Sequence, residues 1–541
     1  MQRWLILVDA ILVVALVVAS VGPSWSLVGL QFGRRSADLS SRADARVEGH
    51  PAAQNPATTP GQVSGDATGS REVGPPATGS NDGPVTDRRP GWVAAENAAA
   101  GTEAWKITER NAAGVIEGYT RMATATPGTD VALLVSTASP SFVAEVYRMG
   151  FYGGKRGRLV WTSPPTPGHR QAPAVVDPVT GLAEARWTPS LTVPIGTAWL
   201  PGMYLVKLVS SLGDQSYVPL TVRDDAARAD IVVIDAVSTW QAYNQWGGCS
   251  LYECHGIKGR TRAVKVSFDR PYARSFNDGS ADFLDHELPL VALVEELGID
   301  TGYATSIDLH EHPDIATTTN AVLSLGHDEY YSAPMRQALL DALGKGVNLA
   351  FFGANAIYRH VRFEPARDGR TDRVMANYRD QPDPVTSDPT REWRLQGKPE
   401  GAIVGIQYLC AGVDAGMVVS SSGHWIWANT NVHDGQILPG MVGNESDGID
   451  HSVSPSNLDV LAASPVTCGK RASTAATAYH TTPSGAGVFA AGTIWWVCAL
   501  DAQYCSTPAN TPTVRTATTN VLRVFAHAPA GRDHPSDTTP T

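Results

Sequence analysis

The chain has 541 residues, 43% of them hydrophobic and 18% charged, which is enough apolar material for two or three domains and excludes wholesale disorder. Its 42 Lys and Arg against 53 Asp and Glu leave a net charge of −11, which excludes a generally basic surface for wrapping nucleic acid. With 14 Trp and 51 Gly the composition is that of a β-rich, loop-rich protein rather than a helical array.

Trp4 to Val21 is an apolar run broken only by Asp9, long enough for the lower range of a membrane span, and a second apolar patch follows from Trp25 to Phe32. Residues 1–33 therefore read as a membrane anchor. A cleaved signal peptide is the alternative, although only Arg3 precedes the run and no A-x-A site is visible. No aromatic residue lies between Phe32 and Trp92, and the Pro, Gly, Ser and Thr of residues 34–91 have the composition of a disordered stalk. The expected layout is a single-pass N-terminal anchor in the cell membrane, a stalk and an extracytoplasmic body, with secretion after signal cleavage as the alternative. The cysteines fit that compartment. Cys249, Cys254, Cys410, Cys468, Cys498 and Cys505 are even in number and include two close pairs, which reads as disulfides. Zinc is the rival, since His255 follows Cys254, but no CxxC pair supports it.

From residue 92 to 225, short apolar runs are separated by turn residues. "DVALLVST" (130–137), "FVAEVYRMG" (142–150), "LVWTS" (159–163) and "GMYLVKLVSS" (202–211) predict strands of a β-sandwich. From 226 to 528 the pattern is α/β. "IVVID" (231–235), "AVLSLG" (321–326) and "VNLAFFGAN" (347–355) are apolar strands of the kind buried in a parallel sheet. "LPLVALVEELG" (288–298) predicts an amphipathic helix, and "SAPMRQALLDALGKG" a helix capped by Ser332. The fold class is thus an N-terminal β-sandwich followed by an open α/β sheet domain of flavodoxin or amidotransferase type. Long irregular insertions fill 365–525, and 529–541 reads as a disordered tail.

Ligands of open α/β sheets gather at the carboxyl ends of the strands. Three such ends are polar here: Tyr243, Asn244 and Tyr252 after the first strand, His327, Asp328, Glu329 and Tyr330 after the second, and Asn355 after the third. Carboxylate, phenolate and imidazole suit iron, manganese or zinc, and without a metal Asp328 and Glu329 remain an acid–base pair. Spacing alone does not choose between these. "HEHP" (310–313) reads as a solvated loop, and the acids of "HDGQILPGMVGNESDGIDHS" (433–452) as turns. No P-loop, G-x-G-x-x-G or G-x-S-x-G motif is present.

"EVYRMGFYGG", "PGMYLVKLVSSLGDQSYVPLTVRDD", "WQAYNQWGGCSLY", "VSFDRPY", "LSLGHDEYYS", "NLAFFGANAIYRHVRFE" and "LPGMVGNESDG" together resemble, in order across about residues 93–525, the large (β) subunit of N,N-dimethylformamidase and its relatives. The resemblance implies a β-sandwich followed by a catalytic α/β domain. It also implies a mononuclear iron, ferric in this reading, that hydrolyses an amide C–N bond. Carried onto this chain, the metal ligands are Tyr243, Tyr252 and Glu329, although some members carry a tyrosine where Trp240 stands. His327 and Glu445 then handle protons and Asn355 orients substrate or water. This chain departs from that enzyme: nothing in it resembles the separate small subunit, its body is expected outside the cell, and Cys249 and Cys254 flank the candidate tyrosines. The expected partner is therefore a small amide-containing substrate other than dimethylformamide. Zinc in place of iron, a non-enzymatic surface protein binding glycan or protein, and a metal-free carboxylate hydrolase stay open. So does association into homo-oligomers.

Overall fold

The computed structural model describes residues 90–108, 115–227, 229–255, 257–379, 381–503 and 507–537. The expected anchor lies outside the described residues, and so does the stalk up to residue 89. Among the described residues no helix is long and apolar enough to cross a membrane. Chain contacts separate residues 1–81 from Asp82–Thr541, so everything below concerns the second unit.

Two stacked sheets open this unit. One has three strands, β1 (Ile116–Thr120), β2 (Asp130–Thr137) and β5 (Leu191–Pro194), in the order β1-β2-β5. The other runs β7-β6-β3-β4, from Gln215–Val222, Gly202–Ser210, Ser141–Met149 and Gly157–Thr162, and short strands at Thr124–Ala125 and Thr166–Pro167 extend it. The period of two sets what each face buries. Val131, Leu133 and Val135 of β2 meet Phe142, Ala144 and Val146 of β3 and Val206 and Leu208 of β6 in one core. The alternate residues Tyr147, Met149, Met203, Leu205 and Tyr217 point the other way, into the core of the α/β region. The larger sheet is therefore a middle layer buried on both faces, which is why β7 is buried along its whole length.

The third layer is a seven-stranded mixed sheet. Its order is β9-β8-β10-β11-β16-β15-β14, from Thr301–Thr305, Ile231–Asp235, Ala321–Ser324, Asn348–Phe351, Gly487–Ala490, Arg471–Thr481 and Asp459–Cys468. The first five strands are parallel, β15 pairs antiparallel with β16, and β14 pairs antiparallel with β15. Helices α1 (Val237–Tyr243), α2 (Leu288–Glu296), α3 (Ser306–Glu311), α4 (Ala333–Gly344) and α5 (Thr511–Phe525) accompany it. Ser332 caps α4 by accepting from the Met335 N–H, as its sequence predicts. A separate antiparallel ribbon, β12 (Gln407–Val418) with β13 (Ile437–Gly448), is tied to β14 by the disulfide Cys410–Cys468. Cys249 and Cys254 form a second disulfide, and Cys498 is disulfide-bonded as well.

Four elements differ from the sequence reading. α2 is not amphipathic: residues 288–295 are all buried, because the helix lies between the sheet and the middle layer. His310 and Glu311 of the expected loop end α3, and His310 Nδ1 bonds Ser332 Oγ at 2.8 Å. The "turns" around Glu445 are strand β13. The described part of the expected tail, 529–537, is pinned by buried Ala530, by His534 stacked on Trp425 at 4.6 Å, and by Ser536, whose hydroxyl bonds Asn457 at 2.7 Å.

The strongest polar link between the middle layer and α2 is a fully buried ion pair. Arg148 of β3 meets Glu295 through two bonds of 2.6 and 2.9 Å. Tyr303 and Asn97 complete the carboxylate, and Pro201 O and Tyr152 complete the guanidinium. Removing one partner strands the other charge in a dry interior. Arg148→Met is expected to cost about 3–5 kcal/mol in urea unfolding, and a loss below ~1 kcal/mol, typical of exposed pairs, would show that the pair does not couple the layers.

Candidate active site

The carboxyl ends of β8, β10 and β11 converge with strand β13. Tyr243 is the last residue of α1, which follows β8 after one residue. The next turn returns to the same place: Leu251 N–H bonds Ala242 O, and the Cys249–Cys254 disulfide closes a short loop that presents Tyr252. Arg270 holds this loop from beneath. It is buried without a carboxylate partner, and its guanidinium bonds Gln241 Oε1 and the carbonyls of Gln241, Asn244, Trp246 and Cys249 at 2.9–3.2 Å. All five donor hydrogens are thereby used at the end of α1, where helix carbonyls lack partners. Trp246 in the same loop reaches the first sheet pair, donating to Glu117 at 3.1 Å and packing edge-on against Trp187.

After β10, Gly326 lets the chain turn close to its neighbours. A Cβ there would lie 2.4 Å from His286 O, and one on Gly353, at the end of β11, would lie 1.8 Å from Gly326 O. These close approaches bring His327 and Glu329 beside Asn355, whose φ of 62° lies in the left-handed region that a non-glycine residue seldom adopts. In that conformation its N–H bonds Asp447 at 2.8 Å and its Nδ2 bonds Glu445 at 2.8 Å.

The six residues singled out from the sequence meet here. Tyr243 Oη and Tyr252 Oη lie 2.9 and 2.7 Å from the same oxygen, Glu329 Oε2, and 2.6 Å from each other. Their rings stack with centroids 4.2 Å apart. His327 Nε2 stands 3.7 Å from both Glu329 and Glu445 and is buried without a hydrogen-bond partner, as is Asn355 Oδ1. Burial pushes both phenols well above their ordinary range, and the Glu329 charge adds to it. Burial, then Glu329, raises the Glu445 carboxyl to about 8, while burial lowers His327. Arg359 holds the second Glu329 oxygen at 3.2 Å and Glu392 at 2.7 Å.

This donor set fits a hard ion. Two phenols and a carboxylate meeting at one point are hard oxygen donors of the kind that would suit iron or manganese, and their 2.6–2.9 Å spacing is that of the O–H···O bonds that join them. Among the described residues no three His, Cys, Asp or Glu side chains form a metal cluster, so a metal here would depend on the two phenols. Arg270, Arg359 and Arg379, the last bonding Tyr330 Oη at 2.7 Å, follow no local spacing because their partners lie far along the chain. Asp447, which reads from the sequence as one of the turn acids of 433–452, lies instead in strand β13 and accepts from Asn355 N–H. Tyr330 was visible only as a neighbour of Glu329.

A family model described as N,N-dimethylformamidase beta subunit-like, C-terminal, matches residues 143–510. The chain belongs to this N,N-dimethylformamidase β-subunit-like family. All six site residues fall inside the matched stretch. No curated protein matches the chain. Among solved structures it is similar to a cycloisomaltooligosaccharide glucanotransferase of Paenibacillus sp. in complex with cycloisomaltoheptaose, at 8% identity over 57% of this chain and 62% of that one. The TM-score of 0.16 is too low to carry an argument about fold or function.

Asp447, behind Asn355, is raised by burial from 3.8 to about 7. A carboxyl raised on folding stabilises fully below its unfolded value and loses that contribution as pH rises through its folded one. The metal-free protein is therefore expected to lose stability between about pH 4 and 7, and Asp447→Asn to lose less. Urea midpoints at pH 5 and 8 check this. Equal pH slopes in the two proteins would contradict it.

Proposed function

We propose that this chain is an amidohydrolase of the N,N-dimethylformamidase-like kind, cleaving an amide C–N bond at an iron ion held by Tyr243, Tyr252 and Glu329. The observation that carries the reading is the convergence of three hard oxygens within 2.6–2.9 Å, rimmed by a buried imidazole nitrogen and an amide oxygen that have no partners. Bound there, a ferric ion supplies Lewis acidity to a substrate carbonyl and to water.

The rest is the work of the chain. His327 Nε2 faces both carboxylates and is free to take a proton from the attacking water. Glu445, oriented by Asn355 Nδ2, returns a proton to the leaving nitrogen. Asn355 Oδ1 is left to accept from substrate or water. His327, Glu329, Asn355 and Glu445 are buried, which strengthens their interactions, while Tyr252 is 38% exposed and opens the site to solvent. Family membership supports amide chemistry without naming the amide. The disulfides Cys249–Cys254 and Cys410–Cys468 fit a protein working in an oxidising compartment.

Two observations weigh against a metal-free carboxylate mechanism. Asp328 is buried and engaged, accepting from Ser324 at 2.9 Å and Tyr331 at 2.5 Å. Glu329 already accepts from two phenols and Arg359.

The full chain loaded with ferric iron is expected to hold about one ion and to release amine from members of a panel of small amides. Glu329→Ala should keep its circular dichroism while losing both. Full iron occupancy in that variant would overturn the ligand assignment, and an iron-loaded wild type silent on every amide would overturn the reaction.

A further inference from the structure

Two residues meet the candidate centre without a part in the reaction above. Arg379 holds Tyr330 Oη at 2.7 Å through a terminal guanidinium nitrogen. A guanidinium only donates, so this bond occupies a lone pair of Tyr330 and directs the hydroxyl proton elsewhere. The acceptor is Tyr252 Oη, 2.8 Å away. The same guanidinium lies over the face of the Tyr252 ring, its central carbon 4.2 Å from the centroid. Arg379 thus acts on one tyrosine twice, through its ring and through the hydroxyl of its neighbour. Tyr243 has no such arm: its hydroxyl bonds Glu329 and Tyr252, and neither Tyr330 nor Arg379 is hydrogen-bonded to it.

The backbone is built to hold Arg379 there. Its φ of 55° is in the left-handed region, a strained conformation for a residue with a side chain. Thr390 fixes it on both sides, accepting from Arg379 N–H at 3.0 Å through its carbonyl and from Tyr378 N–H at 2.9 Å through its hydroxyl. Asp383 in turn fixes Thr390, accepting from its N–H and its hydroxyl. Among the described residues Arg379 makes no salt bridge to a carboxylate, and its Nε is buried without a partner. The charge is not spent on an ordinary ion pair.

We propose that Tyr330 and Arg379 are a positioning pair that draws electron density from the Tyr252 oxygen, so that the two phenolates of the iron site are unequal donors and Tyr252 is the weaker. The pair rests on the iron reading given above. A weaker donor leaves the ion more Lewis-acidic, while Tyr243 keeps its full donor strength.

The test is the visible phenolate-to-iron charge-transfer band of the full chain loaded with ferric iron, read together with iron content. Tyr330→Phe removes one hydroxyl and should move the band to longer wavelength at unchanged iron occupancy. Arg379→Met, which keeps the stem and removes the donor and the charge, should move it the same way and carries the test if the first variant fails to fold. A merely structural role would lower occupancy without moving the band. A wild-type band that stays in place, or moves to shorter wavelength, in both iron-loaded variants overturns the positioning pair alone. A wild type that binds no iron and shows no band overturns the iron reading, and the pair with it.

Discussion

Glu329 Oε2 draws two phenol hydroxyls to one point, and much of the surrounding structure serves to keep them there. Two tyrosines nine residues apart do not stack and share one acceptor of their own accord. Tyr243 ends a helix whose start is fixed by a buried strand, and Tyr252 rides a loop closed by a disulfide and held through four carbonyls by Arg270. Glu329 is held from its other oxygen by Arg359, which is itself paired to Glu392. Each of these supports is itself hydrogen-bonded, which is what holds a cluster of oxygens together.

The layers explain how such a cluster is kept rigid. The middle sheet is buried on both faces, so it gives the α/β sheet a firm backing rather than a solvated one. Arg148 and Glu295 lock α2 to that backing, and Trp246 with Glu117 and Trp187 ties the tyrosine loop to the outer sheets. The N-terminal sheets thus contribute to the site without supplying any of its oxygens.

Much of this was legible in the sequence where burial and local rules coincide. "IVVID" and "AVLSLG" are uninterrupted apolar runs because parallel strands are covered on both sides, and Ser332 with Pro334 marks a helix start by local chemistry. The polar clusters at strand ends followed from topology, and the identities of Tyr243, Tyr252 and Glu329 came from the family resemblance. The rest was hidden for physical reasons. In β12 and β13 the pairing slips at Tyr408/Cys410, Ala411/Val413 and Ala415/Met417, which erases the period of two and made Glu445 look like a turn residue. α2 reads as amphipathic because Glu295 and Glu296 look like a solvent face, yet Glu295 is the buried partner of Arg148. Arg270, Arg359 and Arg379 act on partners set by tertiary contact, and no spacing rule announces them.

Anomalous diffraction at the iron edge, from crystals of the iron-loaded full chain, tests the central claim most directly. The account predicts one strong peak bounded by Tyr243 Oη, Tyr252 Oη and a Glu329 carboxylate oxygen, with His327 and Asn355 near it but not ligating. An iron peak elsewhere, or those three oxygens still hydrogen-bonded to one another with no peak between them, would contradict it.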